Sequence, residues 1–331
     1  MNLHSQYMGI DVRSPIVVSA CPLSEDIDNI ARMADAGAGA VVLFSLFEEQ
    51  IRWENALYQE VLETTTNTFA EASDYFPDAD DYQVGTTQYL ELIRNAKQRV
   101  DVPIIASLNG VTPEGWIEYA GQIEQAGADG IELNIFYIPA GITLAGRDVE
   151  HRYLQIIELV KSTVNIPVAM KLNPYFSAMG NMAKEMADAG ADALVFFNRF
   201  YQPDFNIDDL TVVSDLRYSE SNEIRLPLLW IAALYGRINT SIAATSGVQG
   251  VHEVIKYLLA GADVVMTASA LYKHGIEHIR AMNQELEAWM QRLQFDSIDA
   301  FKGVLSQQSI PDTTAYERAN YIRIMEQAKH S

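Results

Sequence analysis

The chain contains one cysteine, Cys21, in 331 residues. That excludes an intramolecular disulfide and any iron–sulfur cluster held by the chain's own thiolates, so electrons passing through the protein need an external redox carrier. The six histidines show no pairing with cysteine of the kind that holds zinc, and no metal site is expected. Positive charge is scarce as well: 23 Lys and Arg stand against 44 Asp and Glu, a formal net charge of −21. Binding to a phosphate backbone rests on clustered Lys and Arg, so nucleic acid is set aside as a partner. No apolar run approaches the roughly 20 residues of a bilayer span. The N-terminal "MNLHSQYMGIDVRSP" lacks a charged start followed by an apolar signal core, and a cytoplasmic location without a membrane is expected.

What the sequence does contain is a recurring join: "MADAGAGAVVLFS" (33–45), "EQAGADGIELN" (124–134), "MADAGADALVFFN" (186–198) and "LLAGADVVMTAS" (258–269). Each reads as a helix end, a glycine suited to the left-handed cap, and a short apolar strand. Two more strands start at proline in "VPIIASLNG" (102–110) and "IPVAMKLNP" (166–174), where the missing N–H costs little. "PIVVSA" (15–20) and "TSIAATSG" (240–247) bring the number to eight. Alternating with helices at 25–36, 86–99, 114–126, 148–164, 178–189, 251–260 and 274–292, they predict an α/β fold, a (β/α)8 TIM barrel. The barrel is expected over 1–305, with a C-terminal helical extension over 306–331 that includes "TAYERANYIRIMEQ". Two insertions, 46–85 after strand 2 and 199–227 after strand 6, follow strand C-termini and so overhang the face where this fold builds active sites. The first ends in the acidic "EASDYFPDADDYQ", read as a solvated loop because it lacks the glycine and terminal glutamate of a calcium loop.

Strand alternation places residues at the barrel mouth. In "GIELNI" the set Ile131, Leu133 and Ile135 faces the helices and leaves Glu132 and Asn134 inside; in "PVAMKLN" Lys171 points inward. Glu132 and Lys171 either pair with each other, since a buried charge needs a partner, or Lys171 sets a positive charge beside an electron-rich ligand. "ATSGVQG" (244–250) and "TASA" (267–270) end strands 7 and 8 with small residues. Such residues serve packing, or let backbone N–H groups approach a phosphate where this fold often binds one.

"SPIVVSA", "GIELN", "VAMKLNPYFS" and "AATSGVQGVHEVIKYLLAGADVVMTASALYKHG" together resemble the dihydroorotate dehydrogenase family, in particular its cytosolic class 1, over about residues 5 to 305. The resemblance implies an FMN-binding barrel. Ser19 and Ala20 would contact the flavin face, Ser45 would lie near the ring, and Asn134 and Lys171 would hold the isoalloxazine. Backbone N–H groups at Ser246, Gly247, Ala268 and Ser269 would hold the phosphate. It also implies a homodimer, a small-molecule substrate or electron acceptor, and a role in pyrimidine metabolism.

The departures from the family pattern fall on its chemistry. Phe44 stands where the family has a lysine on strand 2, and Tyr137 aligns without gaps on the class 1 base, a cysteine. Of the substrate-gripping asparagines, Asn134 and Asn198 have counterparts, one aligns with Pro139, and Asn109 offers a further contact to substrate or loop. An ordinary tyrosine, with a pKa near 10, is a poor base and a usable acid. Tyr137 therefore suits reduction of an activated double bond, or fills space with Phe136. Cys21, near the same mouth, reads as a small buried apolar residue more than a substitute base. Three functions follow: an FMN-dependent oxidoreductase acting on CH–CH groups of a substrate other than dihydroorotate; a flavin-binding electron-transfer or regulatory protein without turnover; or a true dihydroorotate dehydrogenase.

Overall fold

The chain opens on an element that the sequence reading did not foresee, an antiparallel hairpin of β1 (Ser5–Tyr7) and β2 (Ile10–Val12). The computed structural model describes residues 1–48, 85–110, 113–135, 137–199, 203–213, 217–316 and 325–326. After the hairpin come β3 (Ile16–Val18), β4 (Val41–Phe47), β5 (Ile104–Asn109), β6 (Gly130–Asn134), β7 (Val168–Lys171) and β8 (Ala193–Phe196). A second hairpin, β9 (Asp204–Asn206) with β10 (Thr211–Val213), precedes β11 (Ser241–Ala244) and β12 (Val264–Thr267). Strands β3 to β8, β11 and β12 are parallel and close into a barrel in the order β11-β12-β3-β4-β5-β6-β7-β8. Seven lie within the segments named from the sequence, and the eighth, β4, runs two residues past its segment to Phe47. The final helix "TAYERANYIRIMEQ" falls mostly outside the described residues, as do most of the first insertion, its acidic loop and Phe136.

The recurring join works as its residues suggest. Gly37, Gly127, Gly190 and Gly261 all have positive φ, between 94° and 118°, a region in which a Cβ is costly. In three of the joins the following aspartate ties neighbouring strands together. Asp129 accepts from the Ile104 N–H and Lys97 Nζ, each at 2.7 Å. Asp192 accepts from the Val168 N–H at 2.8 Å and Lys161 Nζ at 2.6 Å, and Asp263 from the Ile242 N–H at 2.8 Å and Lys302 Nζ at 2.9 Å. A bond to a charged acceptor is worth about 1.5–3 kcal/mol, whereas the lysines, half-buried and still reached by water, add less. The first join has Gly39 at that place, because a Cβ there would sit 1.9 Å from the Ser14 carbonyl oxygen.

Alternation along the strands sorts the core into two clusters. Val17, Val42, Ile105, Ala169, Val195, Ala243 and Met266 fill the barrel, closed at its N-terminal end by Tyr7, Met8 and Val12 of the first hairpin. Ile131, Leu133, Ile135, Val168, Met170 and Leu172 belong to the layer shared with the helices. Strand β4 breaks the alternation. A register shift lies between Val42 and Ser45, so Leu43 and Phe44 both join the outer layer. Phe44 packs edge-on against Tyr89 at 5.0 Å, while the Ser45 hydroxyl meets that of Ser107 at 2.8 Å. The residue found outside the barrel at this strand's end is thus Phe44, and Ser45 is the one bonded to a β5 partner.

The helices follow the expected segments, with two breaks and one addition. The 25–36 segment becomes a 3-10 turn, Pro22–Glu25, and a helix, Ile27–Asp35, whose N-cap Asp26 accepts from the Asp28 N–H at 2.8 Å. The 274–292 segment is preceded by a separate helix, Ser269–His274, which ends at Gly275 with φ 85°; His278–Leu293 follows. The addition is Arg225–Leu234, RLPLLWIAAL. Its apolar residues form no single stripe, and Pro227 resembles a breaker in sequence, although proline in a first helical turn removes no intrahelical bond.

Candidate active site

The C-terminal ends of β3, β7, β8, β11 and β12 surround a cavity of about 630 Å³, within the roughly 300–1,000 Å³ range of cofactor and small-molecule sites. Its wall includes Ser19 and Ala20 after β3, Lys171 at the end of β7, Asn198 after β8, Ser246 and Gly247 after β11, and Ala268 and Ser269 after β12. The segment beyond β8 supplies Arg199, Asp204, Arg217 and Tyr218.

Among the described residues Lys171 is the one buried Lys or Arg. It is 6% exposed, and its Nζ lies 3.2 Å from Oε1 of Glu132, which is completely buried. The pairing anticipated for Lys171 coexists with a place on the cavity wall, because a lysine ammonium carries three donors. Asn134 ends β6 beside Lys171 in register, and its carbonyl oxygen accepts from Asn198 Nδ2 at 2.7 Å. Asn134 thereby orients Asn198, which borders the cavity directly.

The β11 loop is held in an unusual shape. Ser246 and Gly247 have φ of 74° and 73° in succession. The Tyr257 hydroxyl donates to the Ser246 carbonyl at 2.9 Å, and the Ser246 hydroxyl donates to the Phe197 carbonyl at 3.1 Å. Burial, then the charges of Glu253 and Glu223, push the Tyr257 phenol far up, so it stays a neutral donor. A Cβ on Gly247 would lie 2.8 Å from Ile224 Cγ2 and 2.9 Å from the Glu220 carbonyl oxygen. Across the cavity, Ser269 Oγ contacts Ser219 Oγ at 2.8 Å and accepts from Gln249 Nε2 at 2.7 Å, while Lys273 donates to the Ser219 carbonyl at 3.1 Å. These bonds tie the insertion after β8 to the β11 and β12 loops.

At the mouth, Tyr218 stacks on Tyr272, with ring centroids 5.3 Å apart and planes 16° apart. Arg199 pairs with Glu223 at 3.1 Å and Arg217 with Asp204 at 3.2 Å. Cys21 also borders the cavity, but burial raises its thiol pKa. It remains a neutral thiol at neutral pH, unsuited to act as a base. Arg199, Arg217, Tyr218 and Tyr272 escaped the sequence reading because they come from an insertion and a short helix without strand alternation to place them.

Four candidates lie off the cavity wall among the described residues: Ser45, Asn109, Asn134 and Tyr137. Ser45 bonds Ser107, and Asn109 is buried at the end of β5 in register with Asn134. Tyr137 lies under the guanidinium of Arg152, with Cζ 4.4 Å from the ring centroid, and packs on the helix-side layer. One pair of histidines has zinc-like H-x-x-x-H spacing, His274 and His278. Their rings are 4.8 Å apart, and His278 Nε2 bonds the Gln249 carbonyl at 2.9 Å. No group of three or more potential metal ligands occurs among the described residues, nor does a helix long and apolar enough to cross a membrane.

Comparison with known proteins agrees with this geometry. The chain is 27% identical over 312 residues to the dihydroorotate dehydrogenase B (NAD(+)) catalytic subunit of Methanothermobacter thermautotrophicus, covering 91% of this chain and 98% of that protein. The corresponding subunit of Methanocaldococcus jannaschii is 27% identical over 297 residues, 87% of this chain and 93% of that one. A putative dihydroorotate dehydrogenase A (fumarate) of Aeropyrum pernix is 24% identical over 212 residues, 62% and 68% of the two chains. The family model for dihydroorotate dehydrogenase matches residues 82–290, more than half of the sequence. With that match, which spans six of the eight barrel strands, the chain belongs to the dihydroorotate dehydrogenase family.

Proposed function

We propose that the protein is an FMN-dependent oxidoreductase acting on a CH–CH group of a small molecule other than dihydroorotate. The observation that carries the flavin assignment is Lys171, a buried cation at the cavity floor, facing a loop with two successive positive-φ residues at Ser246 and Gly247. A lysine there suits the electron-rich edge of a flavin. Successive residues with positive φ suit a backbone concavity whose N–H groups can approach a phosphate. Ser19 and Ala20 would lie against the ring face, Asn198, oriented by Asn134, would bond its polar edge, and Ala268 and Ser269 would complete the phosphate cradle. FMN, when bound, supplies a hydride acceptor and donor at N5.

The substrate assignment rests on the residues after β6. Oxidising dihydroorotate takes a base at the carbon that loses its proton. The only cysteine, Cys21, lies elsewhere on the barrel with its thiol pKa raised. Tyr137, under Arg152 and off the cavity wall, is better suited to filling space than to donating a proton. The named relatives favour a second reading, in which dihydroorotate itself is the substrate. Those names also describe a catalytic subunit, which supports an external redox carrier; a homodimer in the cytoplasm completes the proposal.

Anaerobic addition of dihydroorotate to the FMN-loaded protein separates the readings. Flavin bands near their oxidised intensity, bleached only by dithionite, are expected; rapid bleaching by dihydroorotate would replace the proposal with the second reading. If no enone or related ring compound reoxidises the reduced protein either, a flavin-binding electron-transfer or regulatory role is left.

A further inference from the structure

Glu132 is completely buried, and only one of its carboxylate oxygens is engaged. Oε1 meets Lys171 Nζ at 3.2 Å, while Oε2 has no hydrogen-bond partner. The Tyr7 hydroxyl, from the hairpin that closes the barrel's other end, is buried and unpartnered in the same way. Burial, then the charges of Glu132 and Asp263, raise the Tyr7 pKa. A buried ion pair seldom repays its desolvation, and a half-satisfied one does so less. An apolar pair filling the same volume would serve the core better. A residue that breaks the rules of a stable core while touching the cavity's central cation points to work at the site.

Resting on the FMN reading above, we infer that Glu132 is a positioning residue: it anchors Lys171 at the cavity floor and offsets its charge, and so sets how strongly the site prefers reduced over oxidised FMN. Reduction adds electron density to the flavin, and a nearby cation stabilises it. Glu132 moderates that cation. One of the three Lys171 donors goes to Glu132, which leaves the others directed to the ligand.

The test measures dissociation constants of oxidised and of dithionite-reduced FMN for the wild type and Glu132→Gln. Glutamine keeps the shape and removes the charge, so the ratio of oxidised to reduced constants should rise about tenfold, equivalent to about 30 mV for a two-electron couple. If Glu132→Gln does not fold, Glu132→Met, apolar and of similar length, makes the same removal of charge, and the ratio should rise by a similar factor. A change below twofold in the comparison that can be made overturns the inference, and a purely structural Glu132 predicts that result. A wild-type protein that binds no FMN overturns the flavin reading itself, and this inference with it, so the two failures are told apart.

Discussion

Lys171→Ala should cost the folded protein about 3–5 kcal/mol, the range for removing one partner of a buried ion pair. Glu132, completely buried, would be left without the cation that offsets its charge. The same variant should bind FMN roughly 10- to 100-fold more weakly, since bonds to a charged donor are worth about 1.5–3 kcal/mol and each tenfold in affinity is about 1.4. The two losses separate in the double variant Lys171→Met/Glu132→Met. Removing both charges should return most of the stability, because apolar replacements of buried pairs are often neutral, while FMN affinity stays low. Denaturant unfolding and a flavin titration on the three proteins read both quantities. Full FMN affinity in Lys171→Ala would remove Lys171 from the site.

Gly247→Ala has the second largest expected effect. The residue sits at φ 73°, which costs a side-chain-bearing residue about 1–2 kcal/mol. The new Cβ would also meet Ile224 Cγ2 at 2.8 Å, the Glu220 carbonyl oxygen at 2.9 Å and the Ile224 nitrogen at 3.0 Å. Two of those atoms are backbone, so the loop itself has to shift, adding about 1–3 kcal/mol of overpacking. The displaced loop should bind FMN at least tenfold more weakly. A thermal melt together with the same titration checks it; unchanged FMN affinity in a destabilised protein would show that this loop holds no phosphate.

Much of this architecture was legible in the sequence because its signals are local. Short apolar stretches, most of them just after a glycine or proline, marked the barrel strands, and the A-G-A-D joins carried both the left-handed cap and the strand-tying aspartate. Alternation also assigned Glu132 and Lys171 to the interior correctly. No such alternation holds at β4, where the shift between Val42 and Ser45 puts two successive residues on one face and sends Phe44 outward. Periodicity cannot register an irregularity that depends on the neighbouring strand. The hairpin Ser5–Val12 was invisible for a related reason: three-residue strands are too short to show a period, and their apolar residues make sense only as a plug for a barrel formed later in the chain. The cavity's outer wall was hidden likewise, since Arg217 and Tyr218 reach it through an insertion whose path is set by tertiary bonds such as Gln249 to the Ser219 carbonyl at 2.8 Å.

The central claim is a cavity shaped for a flavin phosphate at one end and a flavin ring over Lys171 at the other. Parallel titrations of the apoprotein with FMN and with riboflavin, followed by flavin fluorescence, test it most directly. The two ligands share the ring and the ribityl chain and differ only in the phosphate, for which charge-assisted bonds to backbone N–H groups are worth about 1.5–3 kcal/mol each. FMN should bind at least 100-fold more tightly than riboflavin. Equal affinities, or no binding of either, would contradict the assignment of Ser246, Gly247, Ala268 and Ser269 as the phosphate cradle.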